Sequence, residues 1–344
     1  MNNKILYPKV NLSRLSIGLT APSSGLGSQS LIRRYEEVAQ QHVRKGIPIK
    51  EGRMLRENTL YVSGTAQERA DDFMRLWKDS EISLIQPPWG GEFAIDILSL
   101  LDYSIIKSSP KWVMGYSDIS TLLFAITVVT GVATAHGTNF MDSIEGQDRL
   151  TARGRDFLQC AAGEILTQES SEKWQSEFVD FTVGTGVIFD LKEPTIWKML
   201  QGRGECTING RIIGGCLDTL VHLRGTLYGD LQKFSDVYAK KEGILLYLEN
   251  CEQSPNEIYR SLWAMKYSGW FENVNGVIWG RNNRSDEGEF SYLKCLNSFF
   301  AQFNFPVVFD ADIGHKPPQM TIINGAYATL CVKGGKAILK QQFV

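Results

Sequence analysis

Histidine is scarce in this chain, with four in 344 residues. Chemistry that needs an imidazole must therefore draw on His42, His136, His222 or His315. Cysteine is sparse too: six residues, scattered, with no Cys-x-x-Cys pair. Scattered singles in a chain of this size read as reduced, mostly buried thiols, which suits the cytoplasm. Neither sign of charge dominates, since 36 basic and 38 acidic residues leave a net charge of -2. That balance excludes a nucleic-acid footprint and a polybasic membrane patch. Long apolar runs are missing as well. The longest, Leu122 to Val129, falls far short of the ~20 residues that a spanning helix needs. The first residues show no apolar core followed by a small-residue cleavage site, so no secretory signal is expected.

What is present is the material of a sizeable globular protein, with 43% hydrophobic and 22% charged residues. The length predicts two domains. In the first half, short apolar runs alternate with helical patterns. Leu15 to Leu19, Ile82 to Ile85 and Trp112 to Met114 read as strands. Leu31 to Lys45, Ala66 to Ser80, Ile95 to Leu101 and Ser117 to Val129 carry helical spacing. The repeat predicts an α/β fold with a doubly wound parallel sheet, over residues 1–165. Ligands in such sheets bind at the carboxyl ends of the strands. Residues 166–203 read as a linker or inserted loop. Residues 204–344 mix strand-like runs (Gly204 to Leu217, Ile244 to Leu248, Val274 to Trp279, Val307 to Phe309) with a helix at Glu257 to Ser268. A separate β-rich α+β domain is expected there, ending in two or three short strands around Gly334-Gly335.

Ser117, in Gly115-Tyr116-Ser117-Asp118, stands where a strand gives way to a helix. A hydroxyl there faces the free N–H groups and the dipole of the helix start. A nucleophile elbow has glycine two residues before and two after its serine, and here Ile119 takes the second place. On spacing alone Ser117 reads first as a helix cap and only second as a nucleophile. A serine nucleophile needs a base. His42 lies on an Arg/Lys-rich helix and is expected to be exposed, and His222 has nothing reactive beside it. His315, between Gly314 and Pro317-Pro318, is the first choice, and His136 in Ala135-His136-Gly137 the second. Glu249 ends a buried-looking strand, where an ionised carboxylate requires a partner such as an imidazolium. Glu252 competes with it. The glycine pair after Trp89 offers backbone N–H groups that, with that of Asp118, could hold an oxyanion.

Together these segments resemble the LD-carboxypeptidase family of serine peptidases, which includes murein tetrapeptide carboxypeptidases and microcin C immunity peptidases. The matching stretches are Ile17 to Pro22, Pro88 to Gly91, Gly115 to Ile119, His136-Gly137, Gly214-Gly215, Gly225-Thr226, Leu248-Glu249 and Gly314-His315. The resemblance implies a triad of Ser117, Glu249 and His315, a site between two domains, a homodimer, and no metal or other cofactor. Glu249-Asn250-Cys251-Glu252-Gln253-Ser254 and Thr195-Ile196-Trp197-Lys198 are closer to the immunity branch. That branch cleaves the amide joining an aminoacyl group to a sulfamoyl or phosphoramidate adenylate. Glu252 and Ser254 are then candidate substrate contacts, and Trp174 and Trp197 are candidates to stack on adenine. Cys216 replaces a usual asparagine after the glycine pair, and Asn250 a common aspartate.

The expected mechanism is acyl transfer to water, with His315 as base, Glu249 orienting it, and the N–H groups of Gly91 and Asp118 holding the oxyanion. The expected substrate is an aminoacyl- or peptidyl-nucleotide. The L,D-amide of a murein tetrapeptide is the alternative. A non-catalytic two-domain binder of a peptide or nucleotide is the alternative of another kind.

Overall fold

A computed structural model of the chain describes residues 4–143, 148–177, 189–202, 204–284, 286 and 288–344. Residues 178–188, within the stretch read as a linker, lie outside the described residues.

The first sheet follows the strand–helix alternation of the sequence. Strands β1 (Ile17–Leu19), β2 (Ile49–Glu51), β3 (Leu84–Ile85), β4 (Trp112–Gly115) and β5 (Thr134–His136) run parallel. Helices α1 (Gln29–Arg44), α2 (Ala66–Lys78), α3 (Tyr103–Ser108) and α4 (Ser120–Thr130) lie between successive strands. Local chemistry sets their ends. The Thr65 and Glu68 side chains form a reciprocal capping box at the start of α2. Gly131, at φ +75°, closes α4 in the left-handed conformation that glycine adopts without a Cβ penalty. The pattern over Ile95 to Leu101 forms a 3-10 turn, Ala94–Leu100, rather than an α-helix. Helix α4 is apolar nearly all round because almost all of it is buried. Phe124 stacks on Trp270 from the second half, with centroids 4.9 Å apart.

The second sheet is larger. From one edge to the other it runs β6 (Ile165–Glu169), β16 (Lys336–Gln342), β15 (Tyr327–Lys333), β10 (Glu205–Cys216), β11 (Ile244–Glu249), β12 (Val274–Gly280), β13 (Val307–Ala311) and β9 (Lys198–Met199). Its centre, β10 to β13, is parallel, and its flanks are antiparallel. Strand β11 is buried throughout, hence its unbroken apolar run. Burial alternates along β15 and β16, as expected where one face of a sheet is wet. The stretch expected to join the domains supplies both edge strands, β6 and β9, and a small pairing of β7 (Lys173–Trp174) with β8 (Glu193–Pro194).

One late strand crosses back. β14 (Ile322–Asn324) pairs antiparallel with β5, so the first sheet has six strands in the order β14-β5-β4-β3-β1-β2. The architecture is two-domain α/β, an almost wholly parallel N-terminal sheet and a larger β-rich α+β second unit. No helix among the described residues is long and apolar enough to cross a membrane.

Candidate active site

Ser117 lies at the carboxyl end of β4, as the spacing predicts, but not as a cap. Its φ is +62°, a left-handed conformation that a residue with a Cβ adopts at a cost. Among the described residues its hydroxyl makes no hydrogen bond. A 3-10 turn, Ser117–Ile119, precedes α4, and neither the turn nor α4 has a side-chain cap. The backbone thus lifts the serine out of the sheet without the second glycine of an elbow. Opposite stands Gly90. A Cβ there would meet Ser117 Cβ at 2.8 Å and Oγ at 2.9 Å, so the glycine lets this turn lie against the serine and the Asp118 N–H. The carboxylate of Asp118 is buried and braces the same corner. It accepts from Ser23 Oγ at 2.5 Å and from the Ala94 N–H at 2.8 Å. Burial raises its pKa, opposed by those hydrogen bonds.

Glu249 and His315 come together from opposite ends of the second half. Glu249 ends β11 with no exposed surface, and its Oε2 lies 2.9 Å from His315 Nδ1. Gly314 permits this approach: at φ +98°, a Cβ there would fall 2.5 Å from Glu249 Oε2. Burial opposes the carboxylate, yet the adjacent imidazole holds the Glu249 pKa below its ordinary value. For His315, burial opposes the charged ring, but Glu249 and the Cys251 side chain outweigh it and raise the pKa well above the usual range. Tyr116, next to the serine, packs its ring on His315 at 5.0 Å. No hydrogen bond joins Ser117 to His315; catalytic contacts of this kind are often made in full only in the complex with substrate.

The loop that carries His315 is anchored by Asp312. Its carboxylate accepts from the Ser171 N–H at 2.9 Å, from Ser171 Oγ at 2.6 Å and from Trp197 Nε1 at 2.9 Å, and pairs with Arg281. Trp197 is therefore a buried anchor, 2% exposed, and its ring is not available to stack on a ligand as the sequence suggested. Replacing it with Phe should cost about 1–2 kcal/mol through the lost hydrogen bond. Urea unfolding should show this as a lower midpoint with an unchanged slope. Trp174 is only half-buried and lies under two cations, Arg281 at 5.1 Å and Lys316 at 5.6 Å from its centroid.

A cleft of about 760 Å³ opens beside Ser117 and Asp118, lined also by Gly91, Cys216, Cys251 and Glu252. Ser254 does not line it. Its hydroxyl bonds Glu257 Oε2 at 2.6 Å and caps the helix Pro255–Tyr267. Sequence reasoning missed Asp218, which accepts from three consecutive N–H groups, those of Cys251, Glu252 and Gln253, at 2.8, 2.9 and 3.0 Å. It fixes the loop that leaves Glu249, and no local pattern marks it. Cys216, in place of the usual asparagine, points its thiol at Asp218 Oδ2 at 3.3 Å. Burial pushes that thiol's pKa well up. Asn250 ties its loop to Gln253 O and Asn282 Oδ1 at 2.9 and 2.7 Å.

Two histidines differ from expectation or from each other. His42 is buried rather than exposed, with Nδ1 bonded to Val38 O at 2.8 Å, Arg155 against Nε2, and Phe140 beneath the ring. The partner comes from 113 residues away, so the charge-rich helix alone could not reveal it. His136 lies at the end of β5, in register with Gly115 of β4. It is fully buried, and burial lowers its pKa to about 4.

Residues 17–137 match the LD-carboxypeptidase N-terminal domain and residues 209–330 the C-terminal domain. A Vibrio cholerae protein provisionally named a carboxypeptidase is 26% identical, with 95% of each chain covered. The microcin C7 self-immunity protein MccF of Escherichia coli is 26% identical over 88% of this chain and 86% of its own. Among solved structures, MccF superposes with a TM-score of 0.82 at 23% identity, covering 99% of both chains. Muramoyltetrapeptide carboxypeptidase of Oxalobacter formigenes gives 0.71 at 17%, covering 95% of this chain and 98% of its own. With both domain models matched in order, and a glutamate–histidine pair and a strained serine in the matching segments, this chain belongs to the LD-carboxypeptidase family.

Proposed function

We propose that the protein is a serine amidohydrolase that cleaves the amide of an aminoacyl- or peptidyl-nucleotide. The observation that carries the reading is Ser117 at φ +62°, on the wall of a large cleft, with the Glu249–His315 pair next to its neighbour Tyr116. His315 takes the Ser117 proton as the oxygen attacks the amide carbonyl. The N–H groups of Gly91 and Asp118 hold the oxyanion, and His315 returns the proton to the leaving nitrogen. Water then gives a proton to His315 as it attacks the acyl carbonyl, and His315 passes that proton to the departing Ser117 oxygen, releasing the acid and restoring the hydroxyl. Glu249 keeps the imidazole oriented and stabilises it when charged.

Two things support the nucleotide-linked substrate. The relative MccF has been solved with adenosine monophosphate, with aspartyl sulfamoyl adenosine and with glutamyl sulfamoyl guanosine. The half-buried Trp174 leaves part of a ring accessible, with the Lys316 ammonium 5.6 Å from its centroid as the cation beside it for an anionic linkage. Glu252, on the cleft wall, is in place to touch the acyl portion.

The test is to incubate the purified protein with an aminoacyl sulfamoyl adenosine and, separately, with a murein tetrapeptide. Mass spectrometry should show the free amino acid and sulfamoyl adenosine from the first. Cleavage of the tetrapeptide alone would transfer the assignment to murein. A serine-directed phosphonate should add to Ser117, and binding of either substrate without turnover or adduct would leave only a binding protein.

A further inference from the structure

The mechanism leaves one buried imidazole unused. His136 has no exposed surface, and neither ring nitrogen has a hydrogen-bond partner among the described residues. Glu249 Oε1 is in the same condition, buried and without a partner, while Oε2 is held by His315. Buried polar atoms are rarely left so, and a neutral imidazole always has one N–H to donate. Here a carboxylate oxygen lacking a donor coincides with a ring that has one to give.

The packing brings the two to the same place. His136 packs edge-on against Tyr247, with centroids 5.2 Å apart. Tyr247 and Glu249 are two apart on β11, so their side chains leave the same face of the sheet. A polar bridge fixes this junction one step back along both strands. Tyr247 Oη donates to Asn324 Oδ1 at 3.0 Å, and Asn324 Nδ2 donates to Thr134 Oγ1 at 3.2 Å. Thr134 is two residues before His136 on β5, as Tyr247 is two before Glu249 on β11. On its other side His136 meets Tyr116 edge-on at 6.4 Å, and Tyr116 in turn covers His315.

The two orphan atoms are not bonded to each other as placed. We propose that His136 is a positioning residue for the triad, and that a small rotation of the two side chains completes a ring N–H donation to Glu249 Oε1 that limits how strongly Glu249 holds the His315 proton. This rests on the Ser117–His315–Glu249 reading. Donation to one carboxylate oxygen draws charge from the other, and a less basic Glu249 lets His315 give up its proton at a lower pH. The ring must stay neutral to donate without adding charge, and burial keeps it so. The other titratable groups against the pair are Tyr116 and Asp142 from the first sheet's side, and Cys216, Tyr247 and Cys251 from the second. Burial raises the pKa of both tyrosines, of Asp142 and of Cys216, so the tyrosines and the thiol stay protonated and neutral too. Tyr247 Oη is committed to Asn324 and Tyr116 to Asp142. The Cys216 thiol, the competing donor to Glu249, also points at Asp218 Oδ2, which leaves His136 as the uncommitted donor.

Histidine ring NMR on the full-length protein tests this without any substrate, because only four histidines contribute. In the wild type the His136 ring should stay neutral through the physiological range and show a slowly exchanging, downfield N–H. His136→Phe should raise the His315 midpoint by about one pH unit, the change expected from losing one hydrogen bond to its carboxylate. His136→Gln, which can still donate, should bring it most of the way back. An unchanged His315 midpoint in a folded His136→Phe protein would overturn the proposal. If that variant does not fold, a rapidly exchanging His136 N–H in the wild type would do so instead. A merely structural role would lower stability and leave the midpoint where it was. Because the readout is a titration, failure here is separate from failure of the function, which would appear as an active Ser117→Ala protein.

Discussion

Ser117→Ala should lose about four orders of magnitude or more in kcat, the scale on which removing a triad nucleophile acts. The loss should come without loss of fold. The hydroxyl makes no hydrogen bond among the described residues, so its removal leaves no buried partner there unsatisfied. A companion variant separates chemistry from architecture. At φ +62° alanine still pays the left-handed penalty, whereas glycine does not, so Ser117→Gly should be more stable than Ser117→Ala by about 1 kcal/mol. Both should be equally inactive. Urea midpoints and single-turnover rates measured together check this. A merely capping serine would leave turnover ordinary in both variants, so the single-turnover rate is the reading that separates the two roles.

The second large effect is expected at Glu249. Glu249→Gln keeps the shape but removes the charge that faces His315 Nδ1 at 2.9 Å. A glutamine that turns its amide N–H toward Nδ1 enforces the wrong tautomer. One that turns its carbonyl keeps the tautomer but cannot stabilise the imidazolium. Either way kcat should fall by about three to four orders of magnitude. The pH profile carries the sign. Burial opposes the His315 cation, and Glu249 with Cys251 more than compensates, so the folded pKa is raised. The base works only when neutral, so the wild-type rate should climb with pH through a midpoint above the ordinary histidine value of about 6.5. In Glu249→Gln the residual rate should climb at a lower pH. Stability runs the other way. The contribution of the pair is complete between the unfolded-state glutamate and histidine values, about 4.3 and about 6.5. It is lost as pH rises through the raised His315 pKa and again as pH falls through the lowered Glu249 pKa. A titration midpoint for His315 that ignores Glu249→Gln would disconnect the two residues.

Much of the candidate site's layout was legible in the sequence for identifiable reasons. Histidine scarcity reduced the candidate base to a short elimination, and Gly314 with two following prolines marked His315 as held by a loop. Glu249 stood out because an acid closing an unbroken apolar strand needs a partner. The parallel sheet followed from the strand–helix alternation. What could not be read depends on contacts distant in sequence. His42 looked exposed because its partner Arg155 is far along the chain. Trp197 looked free because nothing near it announces Asp312, which it reaches across 115 residues. Asp218 gathers three backbone N–H groups more than thirty residues later, and no spacing rule addresses that. The left-handed Ser117 was hidden by Ile119, which occupies the place where a glycine would have advertised the turn. The return of β14 to the first sheet was hidden as well, since three residues carry too little pattern to choose a partner.

That return has a consequence for motion. The segment from Asp312 to Thr321 leaves the last parallel strand of one sheet and enters the edge of the other, and His315 is on it. On the proposed reading, the candidate base His315 is carried on the beam that joins the two halves, between Glu249 and Ser117. Any opening of one sheet away from the other pulls on that beam first. The β14–β5 pairing is thus a covalent and hydrogen-bonded tie between the two sheets, and the His315 loop is part of it. An inactive conformation reached by swinging the halves apart would have to peel β14 from β5 before it could release the histidine.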